Sequence, residues 1–156
     1  MPSQRGTLAG LWARTAGLPK GPWLFSRLFS RFVPYSGTIG ATVRVLEPGR
    51  CVAELPDRRQ IRNHLDSIHA VALVNLGELT SGLAMTMLLP DAIRGIVTHL
   101  EAEYLKKARG PLVAESKVVL PLLGAEPVDQ QIETVIRDAA GDVVCRVRTM
   151  WRLSPR

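Results

Sequence analysis

One carboxylate, Glu78, stands out among the residues that could do chemistry, because it lies in the middle of an apolar stretch. Its neighbours Val74, Leu76, Leu79 and Leu83 are typical of a buried helix, where a carboxylate would not be selected for packing. Burial raises the pKa of such a group and suits it to act as a general base or a nucleophile. The alternative is that Glu78 pairs with an arginine or reaches water at the helix surface.

Polar residues also gather just before this helix. The N–H groups of a first helical turn have no partner within the helix and carry a positive potential. An N–H near Ala70 could therefore hold the oxyanion that forms in acyl transfer. Asn63 could donate to the same oxygen or orient a water molecule. His69 has either a catalytic role or a hydrogen bond to the helix start.

Hydrophobic periodicity predicts the elements that position these residues. The helix that carries Glu78 should begin at Asp66 or Ser67, both good N-caps, and run to about Leu89. It is apolar almost all round and must be enclosed by other structure. Alternating apolar residues predict strands at 38–45, 51–55, 96–105, 112–120, 128–137 and 143–153. Because no second helix of comparable length is predicted, we expect an antiparallel sheet to wrap this helix in an α+β fold.

Residues 1–37 are predicted to form a basic helical extension ahead of a domain at 38–156. A short amphipathic helix is expected from Trp23 to Phe32, ending at Pro34. It would either lie across the core of the domain or contact a membrane surface through its arginine and aromatic residues. No acidic residue precedes Glu47, and this acid-free stretch accounts for the whole net charge of +6.

Length and composition exclude several classes of protein. A chain of 156 residues with 46% hydrophobic residues suits one globular domain, and no uninterrupted apolar run is long enough to span a bilayer. The basic residues are not interleaved with exposed aromatic residues in a nucleic-acid motif, so no nucleic-acid partner is expected. Cys51 and Cys145 form neither a metal motif nor a disulfide framework, so no metal is predicted. No secretory signal is recognised, and we expect a cytoplasmic location.

Two segments resemble the hotdog-fold acyl-CoA thioesterases, in particular the PaaI-like group and the related DUF4442 family. The first comprises NHLDSIHA at 63–70 and NLGELTSG at 75–82, with seven residues from Asn63 to Ala70 and eight from Ala70 to Glu78. The second is YLKKARGPL at 104–112, which is similar to a basic K-x-A-R-G-x-L segment of the family. The resemblance covers about residues 38–153 and implies a hotdog fold, in which a curved antiparallel sheet wraps one long helix.

The resemblance implies that the chain hydrolyses acyl-CoA thioesters. Glu78 would be the catalytic carboxylate, either activating water or attacking the thioester carbon. The N–H of Ala70 would be the oxyanion donor, Asn63 would position the carbonyl or water, and Thr80 or the next hydroxyl would assist. This chain has His69-Ala70 where many active members have His-Gly or Gly-Gly, so a methyl group is brought toward the substrate.

The same resemblance implies a homodimer or tetramer whose sites are each built from two subunits, so that Glu78 of one chain would act with the helix start of the other. Coenzyme A would enter as part of the substrate, and no separate cofactor is expected. Its phosphates would meet one of two basic clusters. These are Lys106, Lys107 and Arg109, or Arg58, Arg59 and Arg62. Two other functions stay open, namely acyl-CoA binding without turnover and the hydration or dehydration of an acyl thioester by a histidine with an acidic residue.

Overall fold

The computed structural model of the protein describes residues 4–156. Three helices come first along these residues and are followed by two strands, one long helix and four strands, which is the predicted order with additional helices at the start. The helices are α1 (Gln4–Thr15), α2 (Gly21–Phe32), α3 (Pro34–Gly37) and α4 (Ala70–Leu88), with a 3-10 turn at Arg59–Ile61. The strands are β1 (Thr42–Glu47), β2 (Arg50–Leu55), β3 (Ile93–Tyr104), β4 (Leu112–Lys117), β5 (Val128–Arg137) and β6 (Val143–Pro155).

The six strands form one antiparallel sheet in the order β1-β2-β4-β5-β6-β3. Register shifts interrupt β1 between Val43 and Val45 and β3 between Val97 and His99, and such bulges bend and twist the strands that contain them. All six strands contact α4, so the sheet wraps the helix. The predicted α+β fold, with one curved sheet around one long buried helix, is confirmed.

Helix α4 is the centre of the core. Its side chains Leu73, Leu76 and Leu83 are almost completely buried. Gly77 allows close contact with β6, because a Cβ at this position would lie 2.6 Å from Cγ1 and Cγ2 of Val147. By length and hydropathy alone α4 is also apolar enough to cross a membrane, but 67% of its most apolar window is buried inside the protein. It is therefore the core helix of this domain.

Helices α1 and α2 lie across one end of the core. Phe25 of α2 is completely buried, and its ring meets that of Trp12 edge-to-face with the ring centres 5.0 Å apart. The N–H of Val43 in β1 donates to Oγ of Ser26 at 2.9 Å. The predicted helix at 23–32 therefore packs on the domain itself. Membrane contact through its outer face, where Trp23 is 54% exposed, stays a prediction.

Element ends differ from the predicted ones where the backbone turns. Strand β1 begins at Thr42 and not at residue 38, because a one-turn helix precedes it and Gly40 adopts a φ of +67°. The prediction that Asp66 or Ser67 caps α4 is wrong, since His69 is the N-cap. Asp66 instead has a φ of +52° within a tight loop. Strand β3 begins at Ile93, three residues earlier than expected.

Candidate active site

The first turn of α4 leaves one backbone donor free. Nδ1 of His69 accepts the N–H of Val71 at 3.1 Å. Of the two roles expected for this histidine, the structure therefore shows the hydrogen bond to the helix start. A neutral His69 that accepts at Nδ1 carries its proton on Nε2. The N–H of Ala70 has no acceptor within residues 4–156. It lies at the positive end of the helix and is available to an oxyanion.

Asn63 is held rigidly beside this helix start. Its Oδ1 accepts the backbone N–H groups of Leu65 at 2.9 Å and Ser67 at 3.2 Å. These two bonds fix the plane of the amide, and its Nδ2 has no acceptor in the described part of the chain. The side chain thus combines a structural acceptor with a free donor group.

The loop between β3 and β4 packs against the same place. The N–H of Ile68 donates to the carbonyl of Ala108 at 2.8 Å, and Nη2 of Arg109 donates to the carbonyl of Leu65 at 3.1 Å. At the end of β3, the hydroxyl of Tyr104 donates to the carbonyl of Ala70 at 3.2 Å. The Ala108 backbone and the Arg109 side chain of this loop therefore lie beside the helix start.

The predicted coenzyme A residues of this loop have different surroundings. Nζ of Lys106 lies 2.6 Å from Oδ2 of Asp138 and 2.7 Å from Oδ2 of Asp142, and this pairing raises the pKa of Lys106. The charge of Lys106 is therefore neutralised by ion pairs within the chain. Lys107 and Arg109 are both exposed, and neither has an ion-pair partner within residues 4–156.

Two of the three residues of the second predicted basic cluster are engaged in packing, and the third, Arg59, is exposed. Arg58 donates to the carbonyl of Ile39 and covers Gly40, while Arg62 forms an ion pair with Asp57 at 2.7 Å. Both contacts hold the loop that leads to the 3-10 turn. No group of three His, Cys, Asp or Glu side chains in the described residues is placed to hold a metal ion.

Glu78 lies half-buried in the third turn of α4. Burial raises the pKa of its carboxyl group. No hydrogen-bond or ion-pair partner for this carboxylate lies within residues 4–156. The expectation that Glu78 pairs with an arginine is therefore not met within the described chain. A carboxylate that is partly desolvated and lacks a cation is a stronger base than one in water.

The carboxylate faces a cavity of about 440 Å³ between α1, α2 and α4, which we call the α4 cavity. Its walls are mainly apolar, and among residues 4–156 Glu78 is the only charged one in the lining. The full lining is Thr7, Leu8, Leu11, Phe29, Phe32, Val33, Ser36, Glu78, Leu79, Gly82, Leu83, Thr86 and Trp151. An apolar cavity with one aimed polar group is the usual form of a small-molecule site.

A chain of hydrogen bonds connects the cavity wall to Glu78. Nε1 of Trp151 donates to Oγ1 of Thr149 at 3.1 Å, and Oγ1 of Thr149 donates to Oγ of Ser81 at 3.2 Å. Ser81 in turn donates to the carbonyl oxygen of Glu78 at 3.0 Å. The indole ring is therefore positioned by the same helical turn that carries the carboxylate.

The predicted site residues fall into separate groups. Asn63, His69 and Ala70 come together at the start of α4, whereas Glu78 lies eight residues further along the helix, which is about 12 Å along its axis. Thr80 is brought to neither place: its side chain is completely buried, and its hydroxyl donates to the carbonyl of Leu76 at 2.6 Å.

Apart from Glu78, sequence reasoning did not identify the residues that form the α4 cavity. Leu8 and Trp151 are the clearest cases, since they come from opposite ends of the chain and meet only in the fold. Gly82 is different, because a glycine inside an apolar helix is a visible signal that something approaches or needs space there.

Comparison with known proteins identifies the family and the fold. The family model described as "Domain of unknown function (DUF4442)" matches residues 21–153. No curated protein matches the chain. Solved structures match along most of the chain, and the first of them, a structural-genomics protein designated APC5556, is 25% identical. Its TM-score is 0.84, and the alignment covers 96% of this chain and 99% of that one.

Two further solved structures are called thioesterases. PA5026 from Pseudomonas aeruginosa, a protein of unknown function and probable thioesterase, is 23% identical with a TM-score of 0.73, covering 89% of this chain and 97% of that one. The thioesterase SAV0944 from Staphylococcus aureus is 15% identical with a TM-score of 0.68, covering 78% and 99%. At these identities the similarity shows a shared hotdog fold.

Proposed function

The chain belongs to the DUF4442 family, and we propose that it hydrolyses acyl-CoA thioesters with Glu78 as the catalytic carboxylate. The observation that carries this proposal is a half-buried carboxylate without a cationic partner in residues 4–156, on the wall of a mainly apolar cavity. An apolar acyl group fits such a cavity, and its thioester carbonyl would then lie beside the carboxylate. The thioesterase names of distant hotdog neighbours support the same class of reaction.

In the proposed reaction Glu78 activates water. The carboxylate takes a proton as the water oxygen bonds to the thioester carbon, and the carbonyl oxygen becomes an oxyanion. The N–H of Ala70 and Nδ2 of Asn63 would donate to that oxyanion. The carbon–sulfur bond then breaks, and the proton on Glu78 passes to the departing thiolate, which yields a carboxylic acid and free coenzyme A.

The separation of these groups supports a site shared by two chains. An oxyanion donor must lie about 3 Å from the oxygen that it stabilises, and a helical distance of about 12 Å between Ala70 and Glu78 is too long for one thioester group. We propose that Glu78 of one protomer acts with Asn63 and Ala70 of the partner subunit. A homodimer is the smallest assembly that provides this, and a tetramer would contain two such dimers.

The outer edge of β3 is the proposed place of association. This strand is twelve residues long, pairs on one side with β6, and has no strand on its other side in the described chain. It exposes Ile96 (56%), Leu100 (43%) and Tyr104 (50%). A long edge with exposed apolar side chains is suited to pairing with a second copy, and Tyr104 contacts the start of α4.

The positive loop at the helix start is the proposed coenzyme A contact. Lys107 and Arg109 are exposed and lie on either side of Ala108, whose carbonyl accepts the N–H of Ile68 just before α4. Positive charge near a helix N-terminus attracts phosphate. Lys106 is assigned a structural role instead, because both of its acidic partners belong to the β5–β6 turn.

Residue spacing in one relative gives further support. The Staphylococcus aureus thioesterase was studied as two variants, one altered at a glutamine and the other at a glutamate fifteen positions later. Asn63 and Glu78 are separated by the same number of positions. This agrees with a pairing of an amide and a carboxylate in the proposed site.

Thiol release from short-chain, long-chain and aromatic acyl-CoAs tests the function. Wild type and Glu126→Gln, a substitution in an exposed loop, should release thiol equally, and Glu78→Gln should be slower by roughly a hundredfold or more. Equal rates in all three proteins would contradict the role of Glu78. Acyl-CoA binding without thiol release would indicate a binding module, and an enoyl or hydroxyacyl product would indicate a hydratase.

A further inference from the structure

We propose that the α4 cavity holds the acyl chain of the substrate, which runs from Glu78 over Gly82 and Thr86 toward α1, and that these residues limit its length. This inference rests on the proposed thioesterase function and adds the class of substrate, a thioester with an unbranched aliphatic chain. The N-terminal helices α1 and α2 would then be part of the substrate site.

The floor of the cavity is a straight row on one face of α4. Glu78, Gly82 and Thr86 are spaced four residues apart, so successive members lie about 6 Å apart along the helix axis. All three line the cavity. The row therefore forms a track of two small residues that leads away from the carboxylate, and an extended chain would lie along it.

At Gly82 the helix leaves a space that a larger side chain could fill without a clash. A Cβ built at this position would lie 3.5 Å from Cζ2 of Trp151 and 3.8 Å from Oε1 of Glu78, both ordinary contacts. Glycine weakens a helix relative to alanine, so this position combines a poor helix former with room for a side chain. The free space lies directly beside the carboxylate, where the first carbons of an acyl chain would follow the carbonyl.

The walls are suited to hydrocarbon. Leu8 and Leu11 of α1, Phe29 of α2, Leu83 of α4 and Trp151 of β6 surround the track, and within residues 4–156 Glu78 is the only charged residue of the lining. A chain with a charge at its far end would lose its hydration in this cavity without a partner. The occupant is therefore expected to be uncharged beyond its thioester group.

The volume indicates a medium or long chain. The cavity measures about 440 Å³, and if a methylene group takes about the 30 Å³ of a water molecule, roughly fifteen carbons fit. The row from Glu78 to Thr86 is about 12 Å long, which suits an extended chain better than a compact ring system.

Two cavity-filling variants test this proposal. Gly82→Leu fills the track one turn from the carboxylate, and Thr86→Phe fills it two turns away. The matched control is Gly124→Leu in an exposed loop, where a Cβ meets no atom within 4 Å. We expect Thr86→Phe to lower kcat/KM for dodecanoyl-CoA at least tenfold while sparing butanoyl-CoA, Gly82→Leu to move the limit to shorter chains, and Gly124→Leu to match wild type.

Dissociation constants of the same acyl-CoAs separate this inference from the proposed function. Should wild type release no thiol from any acyl-CoA, the proposed function fails; tighter binding of dodecanoyl-CoA than of butanoyl-CoA, lost in Gly82→Leu, would still support the acyl cavity. An unchanged chain-length profile in both filled variants would overturn the cavity assignment, whether or not thiol is released. If Gly82→Leu does not fold, Gly82→Ala replaces it, because its Cβ fits without a clash.

Discussion

Ala70 and Glu78 lie on one helix, at its first residue and two turns further on, about 12 Å apart along the axis. Ala70 offers a backbone N–H without an acceptor in residues 4–156, and Glu78 offers a carboxylate without a cationic partner there. In the proposed hydrolysis Ala70 supplies the oxyanion donor and Glu78 supplies the general base. The proposed dimer brings these two groups together from different chains.

Substitution of Asn63 separates its structural role from its proposed catalytic one. Asn63→Asp keeps the oxygen that accepts from Leu65 and Ser67 but replaces the donor Nδ2 with a second oxygen. We expect the melting temperature to stay close to that of wild type and kcat to fall by about 10²–10³, as for the loss of one oxyanion donor. Thermal unfolding and thiol release measure the two effects.

Asn63→Ala is the matched comparison, since it removes both functions of the side chain. It should lower the melting temperature as well as kcat. A fully active Asn63→Asp enzyme would show that Nδ2 donates nothing to the reaction.

The two neighbouring lysines of the β3–β4 loop should respond differently to substitution. Lys107→Ala, like Arg109→Ala, should raise KM for acyl-CoA several-fold. The increase should be larger at low salt, because salt screens the attraction between an exposed cation and a phosphate. Lys106→Ala should leave KM unchanged and lower the melting temperature, since Lys106 holds Asp138 and Asp142. The reverse pattern, with KM sensitive only to Lys106, would contradict the assignment of the coenzyme A contact.

The raised pKa of Glu78 predicts a pH-dependent effect on stability. Burial favours the protonated form, so the folded protein binds this proton more tightly than the unfolded chain does. The resulting stabilisation is present below the unfolded pKa, near 4.5, and is lost as the pH rises through the higher folded pKa. Glu78→Gln should therefore melt at a higher temperature than wild type at pH 7.

The comparison of wild type and Glu78→Gln at low pH is the control for that prediction. At a pH below 4.5 both side chains are neutral, and the difference in melting temperature should close. A difference of the same size at both pH values would mean that packing, and not desolvation of the carboxylate, is responsible.

Two glycines of α4 should tolerate alanine to different degrees. At Gly77 the new Cβ would collide with Val147, which is a core contact between helix and sheet, and overpacking of this kind costs about 1–3 kcal/mol. At Gly82 the Cβ fits, and alanine should add up to about 1 kcal/mol of helix stability. Denaturant unfolding measures both free energies, and equal values for the two variants would refute the distinction.

Much of the fold could be predicted because each element has its own periodic pattern. The sequence of α4 is apolar on every side, which indicates a buried helix. In β5 and β6 apolar and polar residues alternate, which indicates strands with one buried face. The start of α4 could not be predicted, since Asp66 and Ser67 are better N-caps by residue type than His69, which is the actual N-cap. The choice depends on the left-handed backbone of Asp66 and the hydrogen bonds of the 63–67 loop.

Residues of the candidate site could be proposed from the sequence only where they are close in sequence. Asn63, Ala70 and Glu78 lie within one segment and can be recognised by their spacing. Lys106 and Lys107 are adjacent lysines that the sequence does not distinguish. Only the fold shows that Lys106 forms ion pairs with Asp138 and Asp142, more than thirty positions further along the chain. The α4 cavity likewise depends on helices that pack from the other end of the chain.

The shared site is tested most directly by mixing two inactive chains. Glu78→Gln and Asn63→Asp chains, carrying different tags, are co-expressed, and the mixed dimer is purified and assayed for thiol release. One of its two sites then combines an intact Glu78 with an intact Asn63 from the partner chain, so its activity should be about half that of wild type. Mixed dimers with no more activity than the two parent variants would contradict a site built from two subunits.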